Sequence, residues 1–248
     1  MRYIRPFDLD ALAPAEAGAW LINPDEGVGC WARLRRGGAA VVESATHTEE
    51  HYALVLRGSA RLIAPDGRGD AKRGELIFVP AGASAAVNGD EDSVWLEVFA
   101  PLRAPAARSN GEARVIAIDQ NKFEGEGFAY QSLIDRTGGA QTMRMNTLKV
   151  SPGAGSPNFH IHAFAQIYVI FDGELTIDIG RARQKAYANT LVLLPPGLVH
   201  RNFNGGATEE RHTTLLVPEP ADGAIFDYAI TIHEHEAELM TQAPAAFA

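Results

Sequence analysis

Apolar residues in this chain come in short runs, and each run is closed by glycine, proline or a charged turn. "HYALVLRGSARLIAP", "GELIFVPAG" and "VWLEVFAP" show this in the first half, and "QIYVIFDGELTIDIG", "NTLVLLPPGLVH" and "RHTTLLVPEP" in the second. Their β-branched and aromatic content and their length predict strands. A 3.6-residue period is scarce. Helix is expected only over "DLDALAPAEAGAW" and over "HEHEAELM" near the C-terminus. Many short strands with Gly/Pro turns predict an all-β sandwich or barrel.

The pattern repeats. His47 falls on His162, His51 on Gln166, Gly58 on Gly173, Pro80 on Pro195 and Gly82 on Gly197, each pair separated by 115 positions. An unbroken offset with the turn residues in register predicts two copies of one β-unit. "APLRAPAARSNGE", between residues 100 and 112, reads as the linker, which gives units 1–105 and 106–248.

Composition narrows the partners. The 248 residues carry a net charge of −9 with no basic stripe, so no grip on nucleic acid is expected. Arg33, Arg35 and Arg36 read as a solvated edge rather than a phosphate clamp. No apolar window is long enough to span a membrane, and the start lacks a secretory pattern, so a soluble cytoplasmic protein is expected. The single cysteine, Cys30, excludes an intrachain disulfide and reads as a buried bystander. Small molecules are the expected partners.

The candidate chemistry lies in "NFHIHAFAQ". His160 and His162 have strand spacing, so both imidazoles leave one face of the sheet. Gln166 opens the next strand, with Tyr168 on the same face. His200 follows the rigid corner "LPPG", whose prolines limit where it can be aimed. Three imidazoles and an amide oxygen suit one borderline divalent ion per chain: Fe, Zn, Ni, Mn or Cu. All four groups are neutral, so such an ion would keep its double charge and favour an anionic ligand. Arg144 and Asn146 share one strand face and Met143 and Met145 the other; the pattern leaves open which face is inward. An inward Arg144 would pair with an anionic substrate, and Tyr168 is the candidate pocket hydroxyl. His212 reads as an exposed or cavity-mouth histidine, and His233 and His235 as part of a charged surface tail. In the first copy Ala45 and Ala85 replace two of the histidines. His47 and His51, even with Glu43 or Glu50, would hold a metal poorly. Phe78, Val87 and Trp95 are expected to fill that copy's interior.

These motifs resemble those of the cupins, and the doubled pattern is similar to the bicupins. Gly155, His160, His162, Gln166 and Gly173 match the first cupin motif, with Gln166 where a glutamate usually stands. Pro195, Gly197, His200 and Asn204 match the second, with Asn189 in place of its glycine. The resemblance implies two tandem jelly-roll β-barrels, and it implies a metal at His160, His162, Gln166 and His200. It implies a metal-dependent oxidoreductase, a dioxygenase acting on a small aromatic, diketone or enol. Relatives with three histidines and a glutamine include zinc-dependent polyketide cyclases. A non-redox cyclase, isomerase, lyase or hydrolase is therefore the alternative, and a non-catalytic binding cupin the third reading. Cupin relatives often pair through strands, so a homodimer is expected, with "VWLEVF" and "FDYAITI" as the edges it would cover.

Overall fold

The structure is a computed structural model that describes residues 2–38, 45–46, 48–65, 67–102 and 111–232. The strands Glu50–Arg57 and Ala165–Asp172 are buried along almost their whole length. A strand alternates its side chains between two faces, so full burial requires cover on both sides. Tyr52, Leu54 and Leu56 point one way, into a core shared with Ala165, Ile167, Val169 and Phe171 of the other half. Ala53 and Val55 point the other way, into an apolar interior of the first half. Tyr168 and Ile170 do the same in the second.

The strands of the described residues form four sheets. In the second half a six-stranded sheet runs through Ile4–Pro6, Thr190–Leu194, Ala165–Asp172, Glu210–Val217, Arg144–Val150 and Phe128–Ile134. It faces a five-stranded sheet of Ala182–Tyr187, Glu174–Ile179, His200–Phe203, Gly155–Ile161 and Tyr228–Ala229. The first half has its own six-stranded sheet: Arg114–Ile116, Leu76–Val79, Glu50–Arg57, Val94–Ala100, Trp31–Arg36 and Ala17–Ile22. Its smaller partner holds Ala45–Thr46, Ser84–Gly89, Ser59–Ala64 and Gly67–Lys72. Among the described residues all ladders are antiparallel, and the two helical turns, Pro24–Glu26 and Gln120–Lys122, are 3₁₀. Among the described residues no helix is long and apolar enough to cross a membrane.

The offset survives in three dimensions. Glu50–Arg57, Ser59–Ala64 and Gly67–Lys72 map onto Ala165–Asp172, Glu174–Ile179 and Ala182–Tyr187 with both ends shifted by 115. The turns follow. Gly58 and Gly173 have φ of 69° and 79°, and in both a Cβ would collide with the neighbouring strand.

Each half also contributes an edge strand to the other. Ile4–Pro6 pairs with Thr190–Leu194, and Arg114–Ile116 pairs with Leu76–Val79. The expected boundary at 105/106 falls among residues 103–110, outside those described.

A buried knot ties the halves together. The Glu50 carboxylate accepts from the backbone N–H groups of Gln141 and Thr142 at 2.8 and 3.0 Å, from Tyr52 Oη at 2.7 Å, and from the Thr142 hydroxyl.

Four expectations need correction. Residues 8–16 are turns and irregular chain, and Ala17–Ile22 is a strand rather than helix. Pro14 breaks a helical ladder, and pairing with Trp31–Arg36 fixes the extended form. The second expected helix, in 233–240, lies outside the described residues, as do His47, Glu43, His233 and His235. Phe78 packs against Tyr52 between the halves, not inside the first one, because its parity is that of the shared core; Val87 and Trp95 do fill the interior. Arg33, Arg35 and Arg36 are not a solvated edge: Glu97 takes Arg33 and Arg35, and Asp92 takes Arg36. Finally, Val94–Ala100 is central in its sheet, so "VWLEVF" offers no free edge. Cys30 is buried as expected, and burial pushes its thiol up to about 12.

Candidate metal centre

His160 leaves the end of Gly155–Ile161, and its cross-strand partner is His200, at the start of His200–Phe203. Directly opposed residues bring their side chains together, and the two ring centroids lie 4.4 Å apart. His162 follows just past the strand, 4.8 Å from His160 and 5.0 Å from His200 by ring centroid. The ligating nitrogens of the three all lie within 4.8 Å of one another, and all three residues are buried. Gln166 reaches in from the facing sheet.

Backbone carbonyls fix the ring orientations. His160 Nδ1 lies 2.8 Å from Asn158 O, His162 Nδ1 2.8 Å from Phe226 O, and His200 Nδ1 2.9 Å from Leu198 O. A carbonyl only accepts, so Nδ1 carries the proton in each ring and Nε2 presents a lone pair. Gln166 Oε1 sits 3.0 Å from His162 Nε2 and 3.2 Å from His200 Nε2. Acceptors facing acceptors repel unless a cation lies among them. The donor set therefore fits a divalent transition ion, and the carbonyls act as the outer supports that metal-binding histidines require.

Burial favours the neutral form of His162 and His200. It depresses His162 from its ordinary value, chiefly by desolvation, and it takes His200 down to about 4, with His160 and His162 adding to the effect. Phe164 stacks on His162 at 4.6 Å and Phe226 meets it edge-on at 5.4 Å. Asp227 Oδ1 stands 3.3 Å from His162 Nδ1.

A cavity of about 330 Å³ opens from the histidines between the two sheets. Its wall on the larger sheet is arranged in cross-strand rows. Gln166, Leu216 and Arg144 form the row at the histidines, Tyr168, Thr214 and Asn146 the next, and Ile170, His212, Leu148 and Tyr130 the third. Arg144 and Asn146 thus face inward and are bonded to each other at 3.0 Å, while Met143 and Met145 join the core between the halves. Tyr168 donates to Asn202 Oδ1 at 3.3 Å, and burial, then the charge of Glu210, raises its hydroxyl well above the ordinary range. Asn204 is structural, its amide donating to Val150 O and Thr208 O.

Three features escaped the sequence reading. His212 is buried rather than exposed, and Glu210 holds its Nδ1 at 2.8 and 2.9 Å. The alternation Glu210, His212, Thr214, Leu216 carries that signal once the strand is begun one residue earlier. Phe226 and Asp227 reach the site through a returning segment that no local pattern marks.

Comparison with known proteins agrees with the fold. A family model described as AraC-like ligand binding domain matches residues 151–227. No curated protein sequence matches the chain. Oxalate decarboxylase of Bacillus subtilis, described with Mn(II) centres, superposes over 96% of this chain and 83% of its own, with a TM-score of 0.66 and 14% identity. Salicylate 1,2-dioxygenase of Pseudaminobacter salicylatoxidans superposes over 80% and 75%, at 0.63 and 12%. AerE of Microcystis aeruginosa superposes over 76% and 86%, at 0.59 and 15%. The chain shares the fold of these structures. The three buried histidines of the second half are placed so that they could hold a metal ion.

Proposed function

We propose that the chain is a metal-dependent cupin oxygenase acting on a small aromatic or enolic acid, with one divalent ion held by His160, His162, Gln166 and His200. The observation that carries this reading is the convergence of lone pairs at one end of a cavity between the two sheets. A bound redox-active ion would supply positive charge and electron-transfer capacity there. The chain's own groups do the rest. Neutral Gln166 leaves that charge uncancelled, which favours an anionic substrate. Arg144, in the same row, offers a planar cation to a carboxylate. Tyr168 keeps its proton at neutral pH and so serves as a hydrogen-bond donor, not a base. Phe164 and Phe226 shield the histidines from water. The likeness to a salicylate dioxygenase fits this reading.

A second reading keeps the same site and drops the redox step, with the ion acting as a Lewis acid. Gln166 favours it, because Asp227 is the one carboxylate among the residues lining the cavity. The likeness to a decarboxylase is compatible with it too. Elemental analysis of protein purified without added metal, followed by oxygen uptake over catechols, hydroxyaromatic acids and diketones, separates the two. Iron, copper or nickel with substrate-dependent oxygen consumption supports the oxygenase. Substrate turnover on zinc without oxygen uptake overturns it in favour of the second reading.

Gln166→Glu tests the charge argument. The glutamate should retain the ion and lose most of the affinity for an anionic substrate, visible as a raised KM. Wild-type KM in this variant would show that charge is not what the glutamine supplies.

A further inference from the structure

The third row of the cavity wall holds a group that the metal reading does not use. His212 is 1% exposed and lines the cavity, its ring meeting Tyr168 edge-on at 5.0 Å. Both oxygens of the fully buried Glu210 stand against its Nδ1. A carboxylate accepts from Nδ1, so in the neutral imidazole Nδ1 carries the proton and Nε2 presents its lone pair. That Nε2 is buried with no hydrogen-bond partner, and so is the Thr214 hydroxyl in the adjacent row. Buried polar atoms are nearly always paired. Two unpaired ones in the wall of one cavity mark where a ligand's polar end belongs.

We propose that His212, oriented by Glu210, is a substrate-recognition residue that accepts a hydrogen bond from a hydroxyl at the far end of the substrate. The proposal rests on reading the cavity as the substrate site of the metal centre. Register sets the ligand's length. Gln166 is paired with Leu216, and His212 lies four residues further along the same strand, which is about 13 Å. With a coordination distance and a hydrogen bond taken off, about 8 Å remains between the ligand's two polar ends. That span suits a small aryl acid with its hydroxyl opposite the acid-bearing arm. Leu148 and Tyr130, in the same row as His212 and lining the cavity, give the ring a largely apolar seat.

The test uses the zinc-loaded full chain and three probes: 4-hydroxyphenylacetate, phenylacetate and 4-methoxyphenylacetate. Calorimetry should show the hydroxy acid binding at least about tenfold tighter than either analogue, since the lone pair needs a donor. His212→Leu should erase that preference. ¹⁵N NMR of the wild-type protein should show the His212 Nε2 resonance moving with the hydroxy acid and staying put with phenylacetate, a readout that does not depend on any variant folding. Equal binding of all three acids would overturn the role of His212 and leave the metal-site reading standing. A preference that persists in a folded His212→Leu chain would do the same. Failure of every acid to bind the zinc-loaded protein would overturn both.

Discussion

By strand register Gln166 falls on His51, Thr214 on Glu97 and His212 on Trp95, the offset having grown from 115 to 117 positions by this strand. The two halves therefore point polar side chains into the same parts of the same fold, with opposite results. In the first half Glu97 accepts from Arg33 and Arg35 at 2.9 and 3.3 Å, and His51 lies stacked on Phe99 with Nε2 3.9 Å from Glu97. Trp95 fills the interior where the second half has His212. The charges there satisfy each other. In the second half the histidines and Gln166 turn lone pairs toward one another, and His212 turns one toward a cavity. In the shared scaffold the first half thus pairs its buried acid internally, whereas the second half leaves lone pairs facing one another and a cavity.

The largest expected effect breaks this contrast at the metal. His200→Ala should lower zinc affinity by at least about 10³-fold, because the binding free energy is divided among four ligands. His51→Gln, which gives the first half the second half's residue, should leave ion content unchanged. Competition with a chromogenic chelator measures both. Unchanged affinity in His200→Ala would remove the histidine from the ligand set.

The next effect asks whether the halves can be parted. Glu50→Gln replaces an acceptor-only group with one whose NH₂ faces backbone and hydroxyl donors. It should cost about 4 kcal/mol in urea unfolding. The wild type should unfold in one transition, since the core and the exchanged edge strands span both halves. Two transitions, with only one moved by the substitution, would show the halves to be independent.

Most of this architecture was legible in the sequence, for a physical reason. Turn residues at fixed offsets and period-2 patterning are local, and they gave the repeat, the strands and the parity that puts His160, His162 and Gln166 together. Strand exchange is not local: nothing in "IRP" says that it pairs with Thr190–Leu194. Nor can a pattern tell which of two apolar faces meets the other half, which is why Phe78 was misplaced. Ala17–Ile22 failed for a related reason, its helical composition being overruled by pairing with Trp31–Arg36. The Glu210–His212 pair was missed because a lone histidine on a late strand looks the same whether its neighbour is exposed or buried.

A third effect comes from protons. His200 falls from 6.5 to about 4 in the folded chain, so between those values the unfolded chain binds more protons. Stability of the metal-free protein should therefore be full above about pH 6.5 and decline as pH falls toward 4, by about 3 kcal/mol for this residue alone. His162, also lowered, adds to the loss. Denaturant unfolding at stepped pH measures it, and His200→Ala should flatten the slope. A slope as steep in that variant would place the responsible groups elsewhere, the first half included.

The smallest effect concerns a turn at which the copies differ. Gly74 and Asn189 are equivalent by the offset of 115 positions, and both are left-handed, with φ of 87° and 61°. Asparagine is among the few side chains that tolerate this region, at a cost glycine avoids. Asn189→Gly would relieve that strain and also give the unfolded chain more freedom, so the two changes should cancel to within about 0.5 kcal/mol. Gly74→Asn has no such compensation: its φ is more extreme, and a Cβ would meet Ile118 Cδ1 at 3.1 Å. A loss of about 1 kcal/mol is expected there. Paired denaturation curves decide it. If Gly74→Asn were neutral and Asn189→Gly destabilising, the asparagine would be contributing through its side chain, and the turn in the second half would be held by more than its backbone.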